Sequence, residues 1–410
     1  MIDPVNAVDK QGGLYIHNRK IIAVGNAPDD FVADKRINAR AVVGPGVFRR
    51  NPSRGNRGRI KTSIQSETNA APVRLYRLWA ANTNPVFDTP AVVELIKDKA
   101  EQCAYAHIYP VAALTQKLAG KELSSMYALK QAGCIAVSNG QAAIENLLVL
   151  RRAMEYAATH DLLFIYSPQE QALSNQGCAH EGAMASRYGL PGIPVAAETI
   201  ALMQCIELIE QTGCRVHFQG LSSARSVDLI VKAKQLQLPV SADVAMHQLH
   251  LTEQDMLPYD SHYHVLPPLR SEQDKDALIA AVRNNTINSI CSDHQPHDID
   301  AKLGAFPETE PGMSSLETVL PLMLRLVKQG KLELAQGIAK LSSEPAKILG
   351  INSAALAVGD VADICIFDPE KQWQINAETW QSQGHNTPYW QEDMLGKVTH
   401  TIQAGKIIYS

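Results

Sequence analysis

From about residue 45 to residue 350, short apolar runs alternate with longer segments whose apolar positions recur every three or four residues. The short runs at 133–137, 162–166, 215–218, 238–242 and 287–291 read as strands. The longer ones at 90–106, 144–160, 195–212, 224–237, 272–284 and 315–329 read as helices. Strand and helix alternating over this length predict a parallel sheet with crossover helices, and a closed (β/α)8 barrel is the favoured form.

Both ends break the rhythm. Residues 13–25 read as two short strands about a polar turn, and 362–368 and 398–409 repeat that style. The expectation is one small β-sandwich domain built from residues 1–44 and 357–410, flanking a barrel over 45–356.

Composition narrows the class without naming a chemistry. Of 410 residues, 45% are hydrophobic and 20% charged, ordinary for a globular chain with a large core. A net charge of −4 argues neither for nucleic acid nor for an anionic membrane surface, and neither is expected as a partner. No apolar run is long enough to span a bilayer, and Met1-Ile2-Asp3-Pro4 has neither a basic nor an apolar leader region. A soluble, cytoplasmic protein is expected. The seven cysteines are odd in number, scattered and without a Cys-x-x-Cys pair, so buried reduced thiols are expected.

Motifs carry more. Ala80-Ala81-Asn82-Thr83-Asn84-Pro85, His180-Glu181-Gly182, Leu190-Pro191-Gly192, Pro267-Pro268-Leu269-Arg270, Asp293-His294-Gln295-Pro296-His297, Gly312-Met313-Ser314-Ser315, Gly359-Asp360-Val361-Ala362-Asp363 and Asn386-Thr387-Pro388-Tyr389 follow one another along the chain. Their order resembles that of dihydroorotases, metal-dependent cyclic amidohydrolases. The resemblance implies an amidohydrolase-type (β/α)8 barrel. It also implies a centre of two divalent cations, bridged by a carboxylate and a hydroxide, with an Asp after strand eight shuttling the proton.

Laid on that pattern, the expected ligands are missing. Asn51 and Ser53 fall where a His-x-His pair belongs, Asn139 where the bridging acid belongs, and Ser167 and Gly220 where two further histidines belong. Asp293 alone survives, with Asn82 and His297 as vestigial substrate-binding positions. The substrate Asn expected before Pro267 is Leu266. Divalent transition metals require three or four N, S or O ligands converging within about 2.0–2.3 Å. One carboxylate does not meet that requirement, so no cofactor is expected.

Other histidines could suggest a different centre. His262-Tyr263-His264, with Asp293, His294 and His297, could be drawn as a mononuclear zinc site, and His247 and His250 have helical ligand spacing. On a polar loop, solvated or structural histidines are the commoner outcome. Arg49, Arg50, Arg54, Arg57, Arg59 and Lys61 put six basic residues and no acid into thirteen positions. That run is either a solvated loop or a segment meeting an anion or an acidic partner surface.

The resemblance is nearest to metal-free dihydroorotase-like proteins that accompany aspartate transcarbamoylase in pyrimidine biosynthesis. It implies a pseudoenzyme that pairs with itself and scaffolds transcarbamoylase catalytic subunits. The alternative is an active dihydroorotase or related amidohydrolase with an atypical zinc site.

Overall fold

The computed structural model describes residues 1–43, 47–50, 76–79, 85–103, 107–256, 259–351 and 355–410. Eight strands form one parallel sheet in chain order: Val47–Arg50, Tyr76–Trp79, His107–Ala113, Ala136–Ser138, Leu163–Tyr166, Val216–Phe218, Val240–Ala245 and Ser289–Cys291. These are barrel strands one to eight. Because every neighbouring pair is parallel, all eight C-terminal ends lie at one mouth.

Period-two alternation sorts the strand side chains. Val137, Phe164, Val216, Phe218 and Ala242 pack outward with Leu150, Met154, Leu202, Cys205, Ile209 and Ile230 of the covering helices. Residues of opposite parity, Val111, Ala136, Leu163 and Ile165, form a separate cluster with Ala346. His217 lies between Val216 and Phe218 and so faces away from the helices, into a polar network described below.

The helix at Val195–Thr212 matches the sequence reading, and others shift for local reasons. The helix expected at 144–160 begins at Leu147, because Asn146 accepts from the Leu148 N–H and acts as the cap. The one expected from 315 opens with a 3-10 turn at Leu316–Thr318 and becomes α-helical at Val319–Lys328. Strand seven begins and ends later than its apolar run suggests. It starts after Pro239 and continues through the polar Asp243. Cys134, Cys178, Cys205, Cys214, Cys291 and Cys365 are buried.

Both chain ends share a second sheet. Its order is Lys406–Tyr409, Asp393–Gln403, Ile364–Gln374, Ala41–Val43, Ile2–Asp3 and Val8–Asp9. A hairpin of Gly13–His17 and Lys20–Gly25 lies over it. Leu14, Ile16, Ile21 and Val24 of the hairpin meet Ile364, Ile366 and Ile402 of the sheet, so two β layers enclose a small core of their own. Among the described residues, no helix is long and apolar enough to cross a membrane.

Candidate functional site at the barrel mouth

A cavity of about 30 Å3 opens at the C-terminal mouth, lined by Ser167, Gln219, Gly220, Leu266, Arg270 and Asp293 among others. At ~10–15 Å3 per water, it holds about two water molecules. Three of the expected ligand positions, and the surviving acid, sit on this rim or beside it.

Asn139 follows strand four and is 3% exposed. Its Oδ1 accepts from the Thr115 hydroxyl at 2.7 Å, and its Nδ2 donates to the Ala142 carbonyl at 3.1 Å. The amide is thereby committed on both sides, and the donor to Ala142 is one that a carboxylate lacks. Ser167, after strand five, accepts from the Gln219 side-chain amide in a very short contact. Gly220, after strand six, has φ +68°, and its N–H donates to Asp243 Oδ1 at 2.6 Å. Asp293, two residues past strand eight, is buried with φ +41°, and Gln295 donates to its Oδ2 at 3.3 Å.

Of the histidines that could be drawn into a new centre, His262, His264, His294 and His297 are engaged elsewhere. His294 Nδ1 accepts from the Ser315 and Leu316 N–H groups at 3.1 and 3.2 Å, so that lone pair is taken. The Thr309 hydroxyl gives its proton to the Phe306 carbonyl, so His264 Nδ1 donates to Thr309 Oγ1, while its ring stacks on Phe306. Burial, and then Lys302, push the His264 pKa down to about 3. His262 reaches Asp260 on the outside of the same connection, and His297 contacts the Pro311 carbonyl and Glu310. That connection follows strand seven, whereas the sequence reading set His262 and His264 ahead of the strand-seven end. His247 is fully buried, with neither ring nitrogen hydrogen-bonded among the described residues. Burial lowers its pKa against the pull of Asp293.

The fit to a two-cation centre therefore fails at each described position: an amide with both functions used, a hydroxyl already accepting, and a glycine with no side chain. Among the described residues, no group of three or more His, Cys, Asp or Glu is placed to hold a metal ion. Asn51, Ser53, Asn82, Arg54, Arg57, Arg59 and Lys61 lie outside the described residues. Arg49 and Arg50 end strand one, where the backbone is described.

Two polar networks escaped the sequence reading. His217 bridges Ser241 Oγ at 2.8 Å and Asp243 Oδ2 at 3.1 Å, while the Cys291 thiol and the Gly220 N–H both donate to Asp243 Oδ1. This ties strands six, seven and eight together inside the barrel. Arg270, 2% exposed, donates to Ser222 Oγ, the Ile193 carbonyl and His180 Nδ1, and pairs with Glu198 at 4.0 Å. Burial, and then the guanidinium, lower the His180 pKa. One sequence signal was available for the second network: Glu198 is an acid set in the apolar first turns of its helix, next to Ala196 and Ala197.

Similarity to known proteins agrees with this frame. A Dihydro-orotase-like family model matches residues 42–226. A "Dihydroorotase-like protein" of Pseudomonas putida is 42% identical over 415 residues, covering 100% of this chain and 97% of that protein. The chain belongs to the dihydroorotase-like family. A protein named "Dihydroorotase" from Syntrophus aciditrophicus is 36% identical, again over 100% of this chain and 97% of its own length. In structure, an L-hydantoinase (dihydropyrimidinase) from Arthrobacter aurescens superposes with a TM-score of 0.84 at 22% identity, over 97% of this chain and 92% of that one. Family members thus include proteins named as enzymes and proteins named only as similar to them. The α/β amidohydrolase-type barrel with its attached antiparallel sheet is shared with the hydantoinase.

Proposed function

We propose that this chain is a non-catalytic dihydroorotase-like protein, a pseudoenzyme acting in the cytoplasm as a scaffold for aspartate transcarbamoylase catalytic subunits in pyrimidine biosynthesis. The observation carrying the non-catalytic half is Asn139, where the bridging acid is replaced by an amide bonded to both Thr115 and Ala142. The substitutions at Ser167 and Gly220 support it, as do Asn51 and Ser53 in the sequence. A barrel that keeps its fold while losing its ligands retains only its surface as a working part. The scaffold half rests on the resemblance to metal-free family members, and it includes pairing of this chain with itself.

Two measurements test the two halves. Gel filtration of transcarbamoylase catalytic subunits, alone and with this chain, is expected to show a joint species of higher mass; separate elution defeats the scaffold. Metal analysis with a dihydroorotate ring-hydrolysis assay is expected to find neither stoichiometric zinc nor turnover. Zinc with chelator-sensitive turnover would instead establish an active dihydroorotase, the reading favoured by the 36% identity to a protein of that name.

A further inference from the structure

Between strand five and its helix the chain makes an excursion that closes on itself. Ala179–His180 and Gly192–Ile193 pair in parallel, and the short helix Ala183–Tyr188 joins them. The Cys178 N–H donates to the Pro191 carbonyl at 2.9 Å, and the Glu181 N–H to that of Ile193 at 3.1 Å. Residues 177–193 thus carry hydrogen bonds of their own and can move as one unit. What they bury in the main core includes Cys178, Ala179 and Ala185, all small. Small side chains contribute little apolar area, so polar contacts weigh more in holding the excursion down.

Those contacts converge on Arg270, from the connection after strand seven. Its Nη1 donates to His180 Nδ1 at 3.0 Å and to the Ile193 carbonyl at 2.8 Å, gripping both strands of the small sheet. The Tyr259 hydroxyl adds a bond to the Tyr188 carbonyl at 3.2 Å. A guanidinium only donates, so His180 Nδ1 is the bare nitrogen of a neutral ring. A proton placed there replaces the acceptor with a donor and sets one positive charge against another. Arg270 keeps its place in that event, because Ser222 Oγ takes its Nε–H at 3.1 Å and Glu198 lies at 4.0 Å. Asp274, in the first turn of the helix Glu272–Arg283, pulls the other way on the ring. Glu253 Oε2 and the ring both border Gly182, where an added Cβ would lie 3.9 Å from each. Burial and Arg270 outweigh Asp274, so the imidazole stays below its ordinary value of 6.5.

We propose that His180 and Arg270 form an acid-released latch, in which protonating the ring frees the 177–193 excursion while the barrel stays folded. Ile193 and Arg270 both line the mouth cavity, so release opens its wall. The latch is whole above pH 6.5 and weakens as pH falls toward the lowered folded value. It goes beyond the scaffold role and does not depend on it.

Hydrogen exchange read by mass spectrometry on the full-length chain, from about pH 8 to about pH 5, tests this. After correction for intrinsic exchange, opening within 177–193 is expected to rise about ten-fold per pH unit below 6.5, the mark of one proton. Peptides from the helix Val195–Thr212 and from the barrel strands should not follow. His180→Asn offers a carbonyl to Arg270 but takes no proton, so its excursion should stay closed throughout, with an unchanged melting temperature at pH 8. His180→Gln should behave alike. A native excursion whose opening ignores pH overturns the proposal, as does a variant that keeps the native slope. Acid opening shared equally by the barrel strands overturns it too, since that is global unfolding.

Discussion

At Asn139 a single atom separates the amide from the acid a bridging ligand requires, and its surroundings now suit the amide. Asn139→Asp keeps the bond from Thr115 but sets a carboxylate oxygen against the Ala142 carbonyl, which loses its donor. Leaving that buried group unpaired is expected to cost about 1–3 kcal/mol in chemical denaturation, with no zinc gained by metal analysis. Gly220→His meets a different obstacle. A Cβ there has only Pro267 Cδ nearby, at 3.8 Å, so space is available, but the backbone is left-handed. The variant should fold with a loss of about 1–2 kcal/mol and remain metal-free. His264 gives a pH signature. Its folded pKa is pushed down to about 3 from an ordinary 6.5, so between those values the unfolded chain holds the extra proton. The stability tied to this ring is complete above pH 6.5 and is lost as pH falls toward 3. In urea melts across that range, His264→Phe should flatten the slope by one proton, with His250, also held down to about 3, still contributing its own.

The element that carries His264 depends on Lys302. Lys302→Met removes the donor for three carbonyls beneath the strand-eight connection. Denaturation should show a loss of about 2–4 kcal/mol, and removing a neighbouring positive charge should raise the His264 pKa while burial keeps it below the ordinary value. Elements of this kind mark how far the sequence could be read. Apolar periodicity located strands four to eight and the helix at Val195–Thr212, because core packing and local pattern agree there. It faltered at Asp243, a polar residue that sits inside a strand only because His217 and the Gly220 N–H satisfy it from the neighbouring strand. It also mistook the start of the helix after strand eight, where His294 accepts from the Ser315 and Leu316 N–H groups at the opening turn. At the candidate site, what was legible was the set of residues missing from a known order. The exposure of Ile299 and Leu303 was not legible, since it depends on which side of the loop Lys302 anchors.

For the whole molecule, two expectations bear on the proposed role. A chelator should leave the melting temperature unchanged, and added zinc should not raise it, because a ligand that binds only the native state would do so. Differential scanning calorimetry reads both. The architecture also constrains how the protein is made. Ile2 pairs with Val43, Val43 with Cys365, and Ile364 with Ile402, so the opening residues lie in one sheet with strands translated more than three hundred positions later. During synthesis those first strands can pair only with one another until the barrel has already left the ribosome. They emerge with Ile2 and Ala41 unshielded and must be kept from other chains until their partners arrive. The sheet is therefore completed last, and a ribosome that stalls late leaves a finished barrel beside an Ala41–Val43 edge still waiting for Ile364–Gln374.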